Sequence, residues 1–174
     1  MMDRPGDDIG VDALCHAIVD RYHASLDQSL SRIAGELGGL AHRTPSPALD
    51  SVHRAFLELA AQIRAHLAKE ENLIFPAIEA LAVAERTGGR HASLPFVTVL
   101  HPIRVLEGEH VRIEQAVEQL REVTRRVNEP DTETPGWRAC MSNLATFAAE
   151  LHEHLKTENE ILFPRALDLE RRVL

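Results

Sequence analysis

Two stretches, "HLAKEENLIFP" at 66–76 and "HLKTENEILFP" at 154–164, write one pattern twice: a His, a Glu four residues on, and a closing Phe-Pro. From His66 to Leu81 and from His154 to Leu169, six of the sixteen aligned positions are identical, the His, the Glu and the Phe-Pro among them. On an α-helix an i, i+4 pair lies on one face, one turn apart, so His66 and Glu70 point the same way, as do His154 and Glu158. Either pair alone reads as a solvated surface pair. As a duplicate it predicts a chain built from two similar units.

Turn signals flank these stretches. "HRTPSP" (42–47), "ERTGGRHASLP" (85–95) and "NEPDTETPG" (128–136) divide the chain into four segments of roughly thirty residues, each with a continuous three-four apolar spacing. The first seam is His16, Val19, His23, Leu26, Leu30, Ile33, Leu37, Leu40; the second is Val52, Phe56, Leu59, Ile63, His66, Glu70, Leu73, Ala77. The third is Ile103, Leu106, His110, Ile113, Val117, Leu120, Thr124, Val127, and the fourth Cys140, Leu144, Phe147, Leu151, His154, Glu158, Ile161. Four such seams predict an all-α, antiparallel up-down-up-down four-helix bundle. Pro102 is expected near the start of the third helix, where a missing N–H costs nothing. Pro76 and Pro164 fall late in the second and fourth and are expected to kink or end them.

The seams also show which polar residues stand where apolar ones belong. They are His23, His66, Glu70, His110, His154 and Glu158. An unpaired ionised carboxylate in a core is very expensive, so Glu70 and Glu158 have to be protonated, paired or coordinated, and a bound cation is the simplest solution. The halves match in spacing as well: His23 to His66 is 43 residues and His110 to His154 is 44, while Glu70 to Glu158 is 88. Each hairpin thus supplies His, His and Glu.

Two bridging carboxylates span metals about 3.5–4 Å apart, the separation usual for two-metal sites. Four imidazoles then divide two per metal. An octahedral ion with two nitrogens and two carboxylate oxygens keeps about two positions free, one for a shared oxo or hydroxo bridge and one for an outside ligand. Open positions point to small-molecule chemistry rather than a closed structural site. Mixed imidazole and carboxylate donors suit iron, and also manganese or zinc.

The remaining polar residues read more plainly. His16 lies two turns before His23 on the same seam and is expected to be a satisfied core histidine, with a further ligand or an outer hydrogen-bonding group as the alternatives. Asp27 and Glu114 each follow a lone His by four residues and are expected to support the ligands or face solvent, with direct ligation as the alternative. Tyr22 and Trp137 read as packing. His42, His53, His91, His101 and His152 are expected to face solvent. A ferritin-like site would need two Glu-x-x-His motifs; only Glu107–His110 has that spacing, with no counterpart in the other half.

Length and composition agree with a single domain over 1–174 with its core at about 8–168. Apolar residues make up 44% and aromatics 4%, which favours helices over a β-sandwich. The net charge of −8 argues against nucleic acid or an anionic membrane as a partner. Cys15 and Cys140 are isolated and read as buried reduced thiols. The N-terminus "MMDRPGDDIG" shows no apolar leader, so a cytoplasmic location is expected.

The motifs "RYH" (21–23), "HLAKEENLIFP" (66–76), "PIRVLEGEH" (102–110) and "HLKTENEILFPRAL" (154–167) resemble the hemerythrin-like HHE cation-binding family. More narrowly, they are similar to the di-iron domain of the iron–sulfur cluster repair proteins of nitrosative and oxidative stress. The resemblance runs from about Ile18 to Ala166. It implies a four-helix bundle around two non-haem irons ligated by His23, His66, Glu70, His110, His154 and Glu158. It further implies binding of nitric oxide or dioxygen, with iron–sulfur proteins and a reductase as partners. An oxygen-binding or oxygen-sensing module without turnover, or an iron storage or donor protein, are the alternatives. Repair proteins of this kind usually carry a further N-terminal domain with a vicinal cysteine pair, which these residues do not show. Oxygen-carrying hemerythrins place a His where this chain has Glu114 and an Asp where it has Asn159, so the ligand set resembles the repair subgroup.

Overall fold

A computed structural model describes residues 9–88, 94–127 and 134–173. Among these residues, seven α-helices line up into four rods: α1 (Val11–Ile18) with α2 (Ala24–Arg43), α3 (Pro47–Lys69) with α4 (Phe75–Thr87), α5 (Leu100–Arg125), and α6 (Pro135–Thr157) with α7 (Phe163–Val173). No strand occurs among the described residues. The expected all-α bundle is what forms. α2 packs on α3 and α6, α3 packs on α5, and α4 packs between α1 and α7.

The helix starts follow from local chemistry. Ser46 accepts the Leu49 N–H at 3.2 Å and Pro47 opens α3; Thr134 accepts the Trp137 N–H at 3.1 Å and Pro135 opens α6. Pro102 is the third residue of α5, as expected. The α5 start is held from a distance: the buried Glu170 of α7 accepts the Val99 N–H at 2.7 Å and the Thr98 hydroxyl at 2.8 Å. α4 stops at Gly88, whose φ of 63° is the left-handed cap that glycine adopts without strain.

The rods are not continuous α-helix. Wide π-helical turns at Val19–His23, Glu70–Ile74 and Glu158–Leu162 join α1 to α2, α3 to α4 and α6 to α7. In the last two, the N–H of Phe75 reaches back five residues to the Glu70 carbonyl, and Phe163 does the same to Glu158. Pro76 and Pro164 follow directly. A residue with no N–H fits this junction, where the hydrogen-bond ladder changes pitch, so the prolines do not end their helices. Of the two outcomes expected for these prolines, a kink or an end, the end does not occur.

The wide turns also shift the seams. Each adds a residue to one turn and so rotates the following face by about 100°. Ile74 and Leu162 are buried in place of Leu73, which is 40% exposed, and Ile161, which is half-buried. Before the first turn, Leu14, Cys15 and Ile18 face inward, and His16 does not. Its side chain is 70% exposed and pairs with Glu79 at 3.2 Å. The core-histidine reading of His16, and the ligand alternative with it, are therefore wrong.

The core falls into two apolar clusters. One lies among α2, α3, α5 and α6, with Phe56 edge-on to Phe147 at 6.1 Å between ring centroids. The other lies among α1, α4, α7 and the first turns of α5. The polar seam residues form a layer between them, and Tyr22, half-buried, touches both clusters.

Candidate metal centre

All six sequence-selected residues meet in that layer. His66, Glu70, His110, His154 and Glu158 are 0–1% exposed and His23 is 4%. Their donor atoms form two quartets, His23–Glu70–His154–Glu158 and His66–Glu70–His110–Glu158, each with its atoms within 4.8 Å of one another. The imidazoles divide two and two, and both carboxylates belong to both quartets.

Each carboxylate turns one oxygen to each quartet. Glu70 Oε1 lies 3.0 Å from His66 Nε2, and its Oε2 lies 3.5 Å from His23 Nε2. Glu158 Oε1 lies 3.0 Å from His154 Nε2, and its Oε2 lies 3.4 Å from His110 Nε2. The four carboxylate oxygens, with Nε2 of His23 and His154, are nevertheless buried without a hydrogen bond. Their close approaches are not directed along N–H bonds. Nε2 of His66 and His110 stand 3.0 Å apart. Such a convergence of lone pairs in a dry core is what a cation resolves, so the residues fit a bound metal.

With no cation between them the two carboxylates do not ionise together. Burial and the neighbouring Glu70 hold the Glu158 carboxyl well above the usual carboxylate range. Burial pushes Glu70 up as well, but His110 and His66 beside it bring it below that range. Burial pushes His154 down to about 3, which Glu70 only partly offsets. The same burial effect on His66 is more than offset by Glu70 and Glu109, so its imidazole is raised.

The Phe-Pro of the repeat now has a role. Phe75 stacks on the His23 ring and Phe163 on the His110 ring, both at 5.7 Å between centroids. Each hairpin thus supplies an aromatic plate that fixes the histidine on its neighbouring rod.

The outward ring nitrogens find partners that sequence reasoning missed. His23 Nδ1 pairs with Glu71 at 2.7 Å, His66 Nδ1 with Glu109 at 3.2 Å, and His110 Nδ1 with Asn159 at 2.8 Å. Such partners orient a ligand imidazole and fix its tautomer. The available signal was adjacency, since Glu71 and Asn159 follow the two buried glutamates and Glu109 precedes His110. Glu109 also holds Lys69. Burial raises the Glu109 carboxyl, but Lys69 and His66 together bring it below its ordinary value. A surface cavity of about 370 Å³ lined by Gln62, His66, Lys69, Glu109 and Arg112 borders the outer side of His66 here.

Asp27 and Glu114 take no part. Asp27 pairs with Arg64 and Glu114 with His152, both at the surface. His42, His101 and His152 are exposed, His53 is half-buried, and His91 lies outside the described residues. Trp137, Cys15 and Cys140 are packed in the core as expected. Burial pushes the Cys140 thiol up to about 12, which leaves it inert.

An all-helical bundle with a buried layer of four imidazoles and two shared carboxylates is a cation-binding class of protein. The profile of the hemerythrin HHE cation-binding domain matches residues 16–94 and 101–172, and the chain belongs to that family. Curated relatives include the iron-sulfur cluster repair protein YtfE of Yersinia pseudotuberculosis, 32% identical over 160 residues, covering 86% of this chain and 63% of the relative. The protein of that name from Dickeya chrysanthemi is 30% identical over 148 residues, covering 85% of this chain and 60% of the relative. The chain therefore spans less than two thirds of these relatives. No described helix is long and apolar enough to cross a membrane.

Proposed function

We propose that this chain holds two irons, one in each quartet, bridged by Glu70 and Glu158, and serves iron–sulfur cluster repair under nitrosative or oxidative stress. The observation that supports it most is that each buried carboxylate offers one oxygen to each histidine pair. Iron bound there would supply a redox-active centre with free coordination positions for nitric oxide or dioxygen.

The chain's own residues do the rest. His23, His66, His110 and His154 present Nε2 inward, and Glu71, Glu109 and Asn159 fix three of those rings from behind. Phe75 and Phe163 shield the centre from water. The cleft beside Lys69 and Glu109 lies against the outer side of the His66 ring.

Iron content and anaerobic reaction with nitric oxide test the reading. Two irons per chain and reaction with nitric oxide are expected. Nitrous oxide as product marks turnover, a stable nitrosyl complex marks a sensor, and restored activity of an apo-cluster enzyme marks an iron donor. A protein that takes up no iron overturns the reading.

A further inference from the structure

The duplication allows the two halves of the centre to be compared atom by atom. His66 in the first hairpin corresponds to His154 in the second, and the partner of each comes from the residue just before a lone histidine on the neighbouring rod. For His66 that residue is Glu109, whose carboxylate lies 3.2 Å from Nδ1. For His154 the corresponding residue is Tyr22, whose ring lies 5.4 Å from the imidazole between centroids. His154 Nδ1 is buried with no hydrogen-bond partner.

We infer that the two iron positions are unequal, and that the ion held by His23 and His154 leaves first. The inference rests on the two-iron reading above and assigns the labile ion within it. The His66–His110 quartet has both rings anchored, by Glu109 and Asn159. The His23–His154 quartet has one, through Glu71. A partner behind a ligand imidazole raises its basicity and holds its orientation, and its loss weakens metal binding about 10–100-fold. Glu70 and Glu158 serve both quartets and cannot create the difference.

Tyr22 is only half-buried and lines two surface grooves, so a carboxylate at this position has room and a solvated edge. It is a positioning residue whose identity sets lability.

The test loads the full chain with two ferrous ions anaerobically and follows their transfer to a bipyridyl-type chelator. Wild-type protein is expected to release iron in two phases of equal amplitude, separated in rate by about tenfold or more. Tyr22→Glu is expected to slow the fast phase. Glu109→Gln is expected to speed the slow phase and leave the fast one unchanged, which tests the inference even if Tyr22→Glu misfolds. Two irons leaving in a single phase, or Glu109→Gln acting on the fast phase, overturns the inference while leaving the two-iron reading intact. Failure to load iron instead overturns the reading beneath it.

Discussion

The Glu70 carboxylate lies 3.0 Å from the ring nitrogen of His66, one turn earlier, and both side chains are sealed from water. Glu158 and His154 repeat the arrangement at the same distance. Ionised groups in such surroundings are tolerated only when something neutralises them, and removing one member of a set strands the others.

Glu70→Ala or Glu158→Ala is therefore expected to take iron from two per chain to near zero, because each removes a donor from both quartets. Glu114→Ala, which breaks only a surface pair with His152, is expected to keep both. Elemental analysis of the purified variants checks this. Equal loss in all three would show the donors to be wrongly chosen.

Stability of the iron-free protein is expected to fall as pH rises. The folded-state value of Glu158 lies above its ordinary 4.5, so the fold binds more protons than the unfolded chain over that interval. Stability is then lost as pH climbs through it. The raised value of His66 acts in the same direction. His154, held down to about 3, opposes them only below its ordinary 6.5. Melting temperatures from about pH 6.5 to about pH 8.5 should drop for the iron-free protein and stay level once iron ties the deprotonated groups. A flat iron-free profile would refute the assignment.

Ser46→Ala removes the acceptor for the Leu49 N–H at a buried helix start. A loss of about 1 kcal/mol is expected in urea unfolding, with iron content unchanged. Thr134→Ala, at the equivalent place on α6, should behave alike.

Phe163→Ala opens a cavity beside the His110 ring in a position that is 1% exposed. The expected loss is about 3–5 kcal/mol in the iron-free protein. Phe163→Leu, which keeps most of the volume, should cost less. Similar losses for both would mean that packing volume is not the phenylalanine's contribution.

The bundle and its six inward donors were legible because apolar spacing and polar interruptions report on the same faces. Periodicity failed at His16, Leu73 and Ile161, where a wide turn lies between the seam and its continuation. A three-four count has no place for the extra residue. Pro76 and Pro164 were visible as punctuation, but the pitch change that accommodates them is a property of the backbone. The contacts of Glu109 and Asn159 were not legible because they act on histidines from other rods, and a single sequence does not show which distant ring a polar side chain will meet.

The layer of imidazoles and carboxylates cuts the hydrophobic interior into two unequal lobes, with Tyr22 as the side chain that packs on both. With its carboxylate oxygens lacking hydrogen-bond partners, that layer is the least self-sufficient cross-section of the interior, and the two lobes are joined through it. A cation seated there would draw donors from all four rods to one level, so its uptake is expected to tie the assembly together at the seam between the lobes.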